Sequence, residues 1–440
     1  MADVLPLRGI RFNPEVARLG GVLAPPYDVI SDEQREALYG RDLRNIVRID
    51  FGQDAPDDVP GRSDRYTRAA EHLQAWLALG ILVRDPRAAF YVTEHRFLTP
   101  DGADQVRRGL LARVRAAQWG GSDLRPHEHT LRGPREDRLA LMRATAAQTS
   151  PVFAVWQAAG AVSALLEEVA ATPAAAGGRT AGEIGSEKHL LWVVDDDVRM
   201  AAIRDALQPA RLYIADGHHR YETAAAYAAE RAVQGDGREA GSQFALVYLC
   251  DAADPGISLL PTHRLLLPRP RAAFSLDDLW MRLDDRWEVE RSDDLAAAAA
   301  LTATMRRARH AFAVRARDGV AVLSRPRAGA VSPRAALDVV VLQEEVLAPA
   351  GADEDAIREG ALAYTRSTED VDRAVCTGEA VLGFVVNPAT TAEMVAVADA
   401  GEVMPQKSTY FYPKVPTGLV LSPLDASTDG PRPGTRTIPS

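Results

Sequence analysis

The sequence predicts a mixed α/β fold, α/β or α+β in class, and three observations carry that expectation. Short apolar runs with strand character alternate with alanine-rich stretches of helical periodicity. Hydrophobic residues make up 47% and charged residues 25% of the 440, enough apolar material for a sizeable core and too much for a largely disordered chain. No run approaches the ~18 apolar residues of a membrane span.

Taken in order, strands are expected at Asn45–Asp50, Ala89–Thr93, Leu190–Val194, Arg211–Ala215, Phe244–Leu249, His310–Arg315, Val320–Leu323 and Ala380–Val386. Helices are expected at Arg62–Leu79, Arg135–Gln148, Asp197–Leu207, Tyr221–Val233 and Leu276–Asp284. Within Arg135–Gln148, the residues Leu139, Met142 and Ala146 share one face, as a core-facing helix requires. Ala171–Glu187, Gly235–Ser242 and Arg325–Pro333 have the Gly, Pro and Thr content of loops. The length suits two or three domains, read as residues 1–120, 121–270 and 271–424. The Ser/Thr/Pro/Gly-rich tail 425–440 reads as disordered.

Lys+Arg 51 against Asp+Glu 61 leaves a net charge of −10, which argues against a groove for duplex nucleic acid. The basic residues divide unevenly, with three lysines (Lys188, Lys407, Lys414) against 48 arginines. Two of the three stand seven residues apart in Met404-Pro-Gln-Lys-Ser-Thr-Tyr-Phe-Tyr-Pro-Lys414. Lysine and arginine differ chemically at phosphate and catalytic sites, so this clustering marks the segment. Two cysteines, Cys250 and Cys376, build neither a disulfide framework nor a four-thiolate zinc site, and both are expected buried and reduced. The N-terminal residues Met1–Arg8 lack a secretory pattern, so a cytoplasmic location is expected.

The sharpest segment is Leu212-Tyr-Ile-Ala-Asp-Gly-His-His-Arg-Tyr-Glu-Thr-Ala224, read as a buried strand, a tight turn at Asp216-Gly217 and the start of a long helix. Helix N-termini favour anions, and glycine lets a backbone approach a phosphate closely. Arg220 can hold phosphate oxygens, His218 or His219 can donate a hydrogen bond or move a proton, and Asp216 stands where a Mg²⁺-facing carboxylate or base is common. A second segment, Arg125-Pro-His-Glu-His-Thr130, sets Glu128 between His127 and His129, which suits deprotonation of a hydroxyl better than zinc binding. In the third, Lys407, Ser408, Thr409 and Lys414 supply two ammonium groups and two hydroxyls to phosphate, without a P-loop. Weaker signals are the rigid turn Ala24–Ile30, which could present Tyr27 and Asp28 to a cleft, and the His263-Arg264 pair after Pro261-Thr262. His72, His95, His189 and His310 read as incidental.

Ala24-Pro-Pro-Tyr-Asp-Val29, Pro126-His-Glu-His-Thr130, Ile214–Ala224, Pro261-Thr-His-Arg264 and Met404–Lys414 stand in one order, and together they resemble a prokaryotic domain-of-unknown-function family often labelled ParB-like. The Asp-Gly-His-His-Arg turn is similar to the phosphate-binding box of the ParB/sulfiredoxin-like superfamily, in which free-serine kinases carry a similar box. The resemblance implies a ParB/sulfiredoxin-like nucleotide-binding core at 121–270 with additional N- and C-terminal α/β regions. It makes Glu128 the base, assisted by His127, and has Asp216 hold Mg²⁺ or assist that base, with His218 beside them. Gly217, His218, His219 and Arg220 would cradle the phosphates of ATP or ADP, and Thr223 is a further binding candidate on the same helix. The activity implied is a nucleotide-dependent small-molecule kinase, with free L-serine as the first hydroxyl substrate to try. A ParB-like nucleotide switch or DNA-partition factor, and a nucleotide hydrolase or phosphatase, are the alternatives. No membrane partner is expected, and oligomeric state is left open.

Overall fold

A computed structural model of the chain describes residues 3–119, 123–128, 132–157, 160–268, 276–283, 285–327 and 329–425. His129, Thr130 and the tail beyond Asp425 lie outside the described residues. The structure is mixed α/β, as the alternation of patterns predicts. Its contacts divide the chain into two units, one of residues 1–126, 130–258 and 413–440, the other of 127–129 and 259–412.

The first unit is built on a nine-stranded sheet. Its strands, numbered along the chain, are β1 (Val4–Leu5), β2 (Phe90–Leu98), β3 (Asp104–Arg115), β4 (Leu124–Arg125), β5 (Val152–Gln157), β6 (Ala176–Gly182), β7 (Gly185–Val194), β8 (Arg211–Asp216) and β9 (Phe244–Asp251). They lie in the order β4-β8-β5-β9-β3-β2-β7-β6, with β1 also on β3. Strands from 1–120 and from 121–258, expected in separate regions, are therefore neighbours in one sheet. Most pairs are antiparallel, but β9 runs parallel to β5, and β4 to β8. The central strands are near-continuous apolar runs (Phe-Ala-Leu-Val-Tyr-Leu-Cys in β9) because the sheet is covered on both faces.

The second unit holds a six-stranded sheet of β10 (His263–Leu266), β11 (Glu288–Ser292), β12 (Arg309–Ala316), β13 (Gly319–Pro326), β14 (Leu362–Thr365) and β15 (Leu382–Val385). The order is β11-β13-β12-β15-β10-β14. Phe312, Val314, Leu323 and Phe384 fill one apolar cluster and Ala313, Val322 and Val385 another, the alternation expected of strands packed on both sides.

Several elements depart from the sequence reading. Asn45–Asp50 is not a strand: Val47–Asp50 forms one helical turn. The Asn45 carboxamide accepts from the Val47 N–H at 3.0 Å and donates to the carbonyls of Gly21 and Leu23, so a local side-chain contact overrides the β-branched run. The loop expected at Ala171–Glu187 contains β6 and the start of β7. Its glycines suit an edge strand crossed at close range: a Cβ on Gly178 would stand 2.4 Å from the Gly20 nitrogen. The helix expected to reach Gln148 ends at Thr145, and Ala147–Gln148 pairs with Ser422–Pro423. Cys250 is buried, but Cys376 is exposed, its sulfur accepting from Arg315 at 3.1 Å. Among the described residues no helix is long and apolar enough to cross a membrane.

Candidate functional site

Strand β8 ends in a bulge. Ile214 faces Ala154 and Asp216 faces Phe153, so Ala215 is the extra residue that re-aims the strand end. Gly217 follows at φ +89°, a left-handed conformation that glycine adopts without steric cost, and the helix His218–Val233 begins at once. A side chain at 217 would also collide with Arg220, whose guanidinium lies 2.8–3.0 Å from an added Cβ.

This turn gathers charge. Lys414 Nζ contacts Asp216 Oδ1, and Arg220 Nη2 contacts Asp216 Oδ2. Arg220 Nη1 donates to the Pro151 carbonyl and to Ser150 Oγ at 3.1 Å, and Thr417 Oγ1 lies 3.1 Å from that same Ser150 oxygen. Burial alone would raise the Asp216 pKa, but the Lys414 ammonium and the Arg220 guanidinium outweigh it and hold the carboxyl well below its usual range. Asp216 therefore stays ionised and fixes two cations at the N-terminal end of a 16-residue helix. The expectation of Asp216 as a Mg²⁺ ligand does not fit this arrangement. Each of its oxygens already faces a cation, so Lys414 and Arg220 neutralise the charge that a Mg²⁺ ligand would offer.

Other residues expected at this turn are placed less directly. Thr223 is fully buried, and its hydroxyl donates to the His219 carbonyl at 2.7 Å, an internal helical bond. His218 is buried and His219 half-buried on the first turn. Tyr27, from the rigid Ala24–Ile30 turn, lies under Arg138 at 4.1 Å, its hydroxyl pushed up to about 12 by burial and by Asp28.

In the second unit three sequence blocks meet. The Met404 N–H donates to the His127 carbonyl at 2.7 Å, Glu128 bridges to Met404, and His127 Nε2 lies 3.0 Å from Thr409 Oγ1. Ser408 Oγ donates to the Pro405 carbonyl at 2.5 Å, and Lys407 is held at φ +58° with its side chain exposed. The Lys407 carbonyl accepts from Arg264 at 3.3 Å, and Arg264 also donates to the Thr262 carbonyl. Arg264 is buried, and among the described residues no carboxylate pairs with it. Burial pulls its pKa down to about 10. The block Met404–Lys414 is thus divided, with Lys407, Ser408 and Thr409 in the second unit and Lys414 in the first.

Two features escaped sequence reasoning. Asp50 and Arg138 are buried near Tyr27, but Asp50 closes an apolar run that reads as a strand. His95 and His189, which look incidental, face each other across β2 and β7, and Arg107 faces His95 across β3. His95 Nε2 lies 2.8 Å from Glu187, while Arg107 donates to His95 Nδ1 at 3.3 Å and to the Pro413 carbonyl at 2.8 Å. The ligand atoms of His95, Glu187 and His189 all lie within 4.8 Å of one another. A metal-bound histidine needs an acceptor on its other nitrogen, and Arg107 is a donor, so the trio is a buried polar network.

The family model described as "Protein of unknown function (DUF1015)" matches residues 4–340. The chain belongs to the DUF1015 family. No curated protein matches this DUF1015 chain. Among solved structures it is similar to a conserved hypothetical protein from Pyrococcus furiosus, at 16% identity over 67% of this chain and 90% of that one, with a TM-score of 0.34. It is similar also to a free serine kinase in complex with AMP, at 14% identity over 69% and 89%, TM-score 0.35. A third is SbnI with a C-terminal truncation from Staphylococcus aureus, at 13% identity over 71% and 87%, TM-score 0.36.

Proposed function

We propose that this DUF1015 protein is a nucleotide-dependent small-molecule kinase whose first unit holds phosphate at the Asp216–Arg220 turn. The observation that carries the reading is the ionised, half-buried Asp216 clamped between Lys414 and Arg220 at the start of a long helix. Lys414 and Arg220 bring two cations to a place where the helix dipole also favours an anion. Gly217 adds no Cβ to the approach. In this reading Lys414 and the first-turn backbone, with His218 and His219, meet the phosphates, and Asp216 and Arg220 hold Lys414 in place. Phosphoryl transfer asks for such positioning and charge neutralisation more than for covalent chemistry.

The second unit, taken by itself, has cationic and hydroxyl groups suited to an anion in the buried Arg264 and the Lys407–Thr409 turn. Glu128 keeps the role its segment suggests, the base that takes the proton of an acceptor hydroxyl, with His127 assigned to assist it. Mg²⁺ enters this scheme only as the usual companion of nucleotide phosphates, with no carboxylate of the turn assigned to it.

AMP and ADP, the nucleotides of the free serine kinase structures, are the first ligands to try. The test is the full chain with ATP or ADP, Mg²⁺ and a panel of hydroxy-amino acids beginning with L-serine. A phosphorylated amino acid supports the reading, and nucleotide binding without any product ends it. Phosphate release without an acceptor would instead mark a hydrolase. Glu128→Gln should lower transfer by a hundredfold or so while leaving the nucleotide Kd within about twofold.

A further inference from the structure

We propose that Asp50 is the anchor for the hydrogen-bond-donating end, a hydroxyl or an ammonium, of the small molecule that the first unit binds beside Arg220. This rests on the phosphate-site reading above and names the chemistry of the acceptor at that site.

Asp50 closes the helical turn 47–50 and is 2% exposed. Its Oδ1 accepts from Thr149 Oγ1 at 2.5 Å and lies 3.4 Å from Arg138 Nη1. Its Oδ2 has no hydrogen-bond partner among the described residues. Asp50, Arg138, Thr149, Ser150 and Arg220 line one cavity of about 30 Å³, with Leu141, Met142 and Val152 as its apolar walls. That volume suits a single small group.

Among the described residues no lining side chain donates to Oδ2, and the donors nearest in kind are directed elsewhere. Arg138 gives Nε and Nη2 to Asp137 and Nη1 to the Asp50 carbonyl. Arg220 gives its Nη groups to Asp216, Ser150 and Pro151. The Gln148 amide donates to the Phe244 carbonyl, and the Thr223 hydroxyl to the His219 carbonyl. Buried carboxylate oxygens are matched to donors as a rule, so the missing donor comes from outside the protein. A hydroxyl or ammonium at the tip of a small ligand is of that size and polarity. Arg220, which lines the cavity and also contacts Asp216, connects such a ligand to the phosphate turn.

Isothermal titration of the full chain with L-serine, ethanolamine and glycerol, each with and without ADP, tests this. The expected result is saturable binding of at least one probe and a tenfold or greater loss in Asp50→Asn, whose amide places a donor where Oδ2 accepts, with the ADP Kd unchanged. Binding of glycerol as well as the amines identifies a hydroxyl donor, and binding of the amines alone an ammonium. If none of the probes binds, or Asp50→Asn binds them as the wild type does, Asp50 faces only a structural water and the inference falls. Probe binding without any ADP binding would overturn the phosphate reading and leave Asp50 as the anchor. Should Asp50→Asn lose its cooperative thermal transition, Met142→Phe, which fills the cavity from its apolar wall, must give the same loss of probe binding.

Discussion

Lys414 is one of three lysines in the chain, and its ammonium, with the Arg220 guanidinium, keeps Asp216 ionised against the effect of burial. Removing one partner of a largely enclosed ion pair leaves Asp216 with Arg220 alone, so Lys414→Met should cost about 2 kcal/mol in urea denaturation. It should also weaken ADP binding by about tenfold or more. The pH dependence has a definite sign. The folded pKa of Asp216 is depressed, so its contribution is full above the unfolded carboxylate value of about 3.9 and is lost as pH falls below it. The stability gap between wild type and Lys414→Met should therefore close on acidification from neutrality to below about pH 4. Gly217 offers a second residue-scale test. Gly217→Ala and Gly235→Ala both place a side chain at positive φ, a cost of about 1 kcal/mol each. Only at 217 does the new Cβ also meet a guanidinium, so Gly217→Ala should lose about 1 kcal/mol more and bind ADP less tightly. Equal losses at the two positions would mean that Arg220 does not depend on this turn.

At the level of elements, β2, β3 and β7 align Arg107, His95 and His189 in one row, with Glu187 two residues from His189 on the same face. Burial, reinforced by the neighbouring Arg107 and, for His189, by His95 against the opposing Glu187, pushes both histidines well below their usual range. Here too the folded pKa is the lower one. The unfolded chain takes up these protons first, so stability is full above about pH 6.5 and declines as pH falls below it. His95→Phe should flatten the pH 5–7 slope of the denaturation midpoint by the share of one proton. An unchanged slope would show that His95 is not kept neutral in the fold. Arg107 also donates to the Pro413 carbonyl, next to Lys414, so this row anchors the segment that carries the site's lysine. Alternation alone could not reveal the row, because β7 comes to lie beside β2, with His189 opposite His95, from the far side of several intervening elements.

For the whole molecule, the chain leaves the first unit at Pro126 and at Ser258 and rejoins it at Pro413. The returning segment is bound in: Thr417 bridges Ala24, Leu421 bridges Ile10, and Ser422–Pro423 pairs with Ala147–Gln148. Truncation after Asp425 should therefore leave the melting temperature unchanged, whereas truncation after Tyr412 should lower it by several degrees and abolish ADP binding. Equal melting temperatures for the two truncations would refute this account of the return. The strands β8, β9, β12 and β13 and the helix Asp197–Leu207 were legible beforehand, because each carries its own apolar pattern and, for the helix, an Asp196 cap. The turn Asp216–Arg220 was legible too, since Asp-Gly before a long helix is a local signature. The helical turn 47–50, the edge strand β6 and the exposure of Cys376 were not, because each is decided by what packs against it. The sequence by itself determined the α/β class, the strand-turn-helix at Asp216–Arg220 and the unusual retention of two lysines near its end. Only the tertiary structure decided that Lys414 pairs with Asp216, that Arg220 braces the same carboxylate and that Asp50 keeps an oxygen without a donor. Lys414 reaches Asp216 from 198 residues away and Asp50 is enclosed by segments distant in sequence, so both depend on the whole chain. Even the four-residue Asp216–Arg220 contact is fixed by the side chains packed around it.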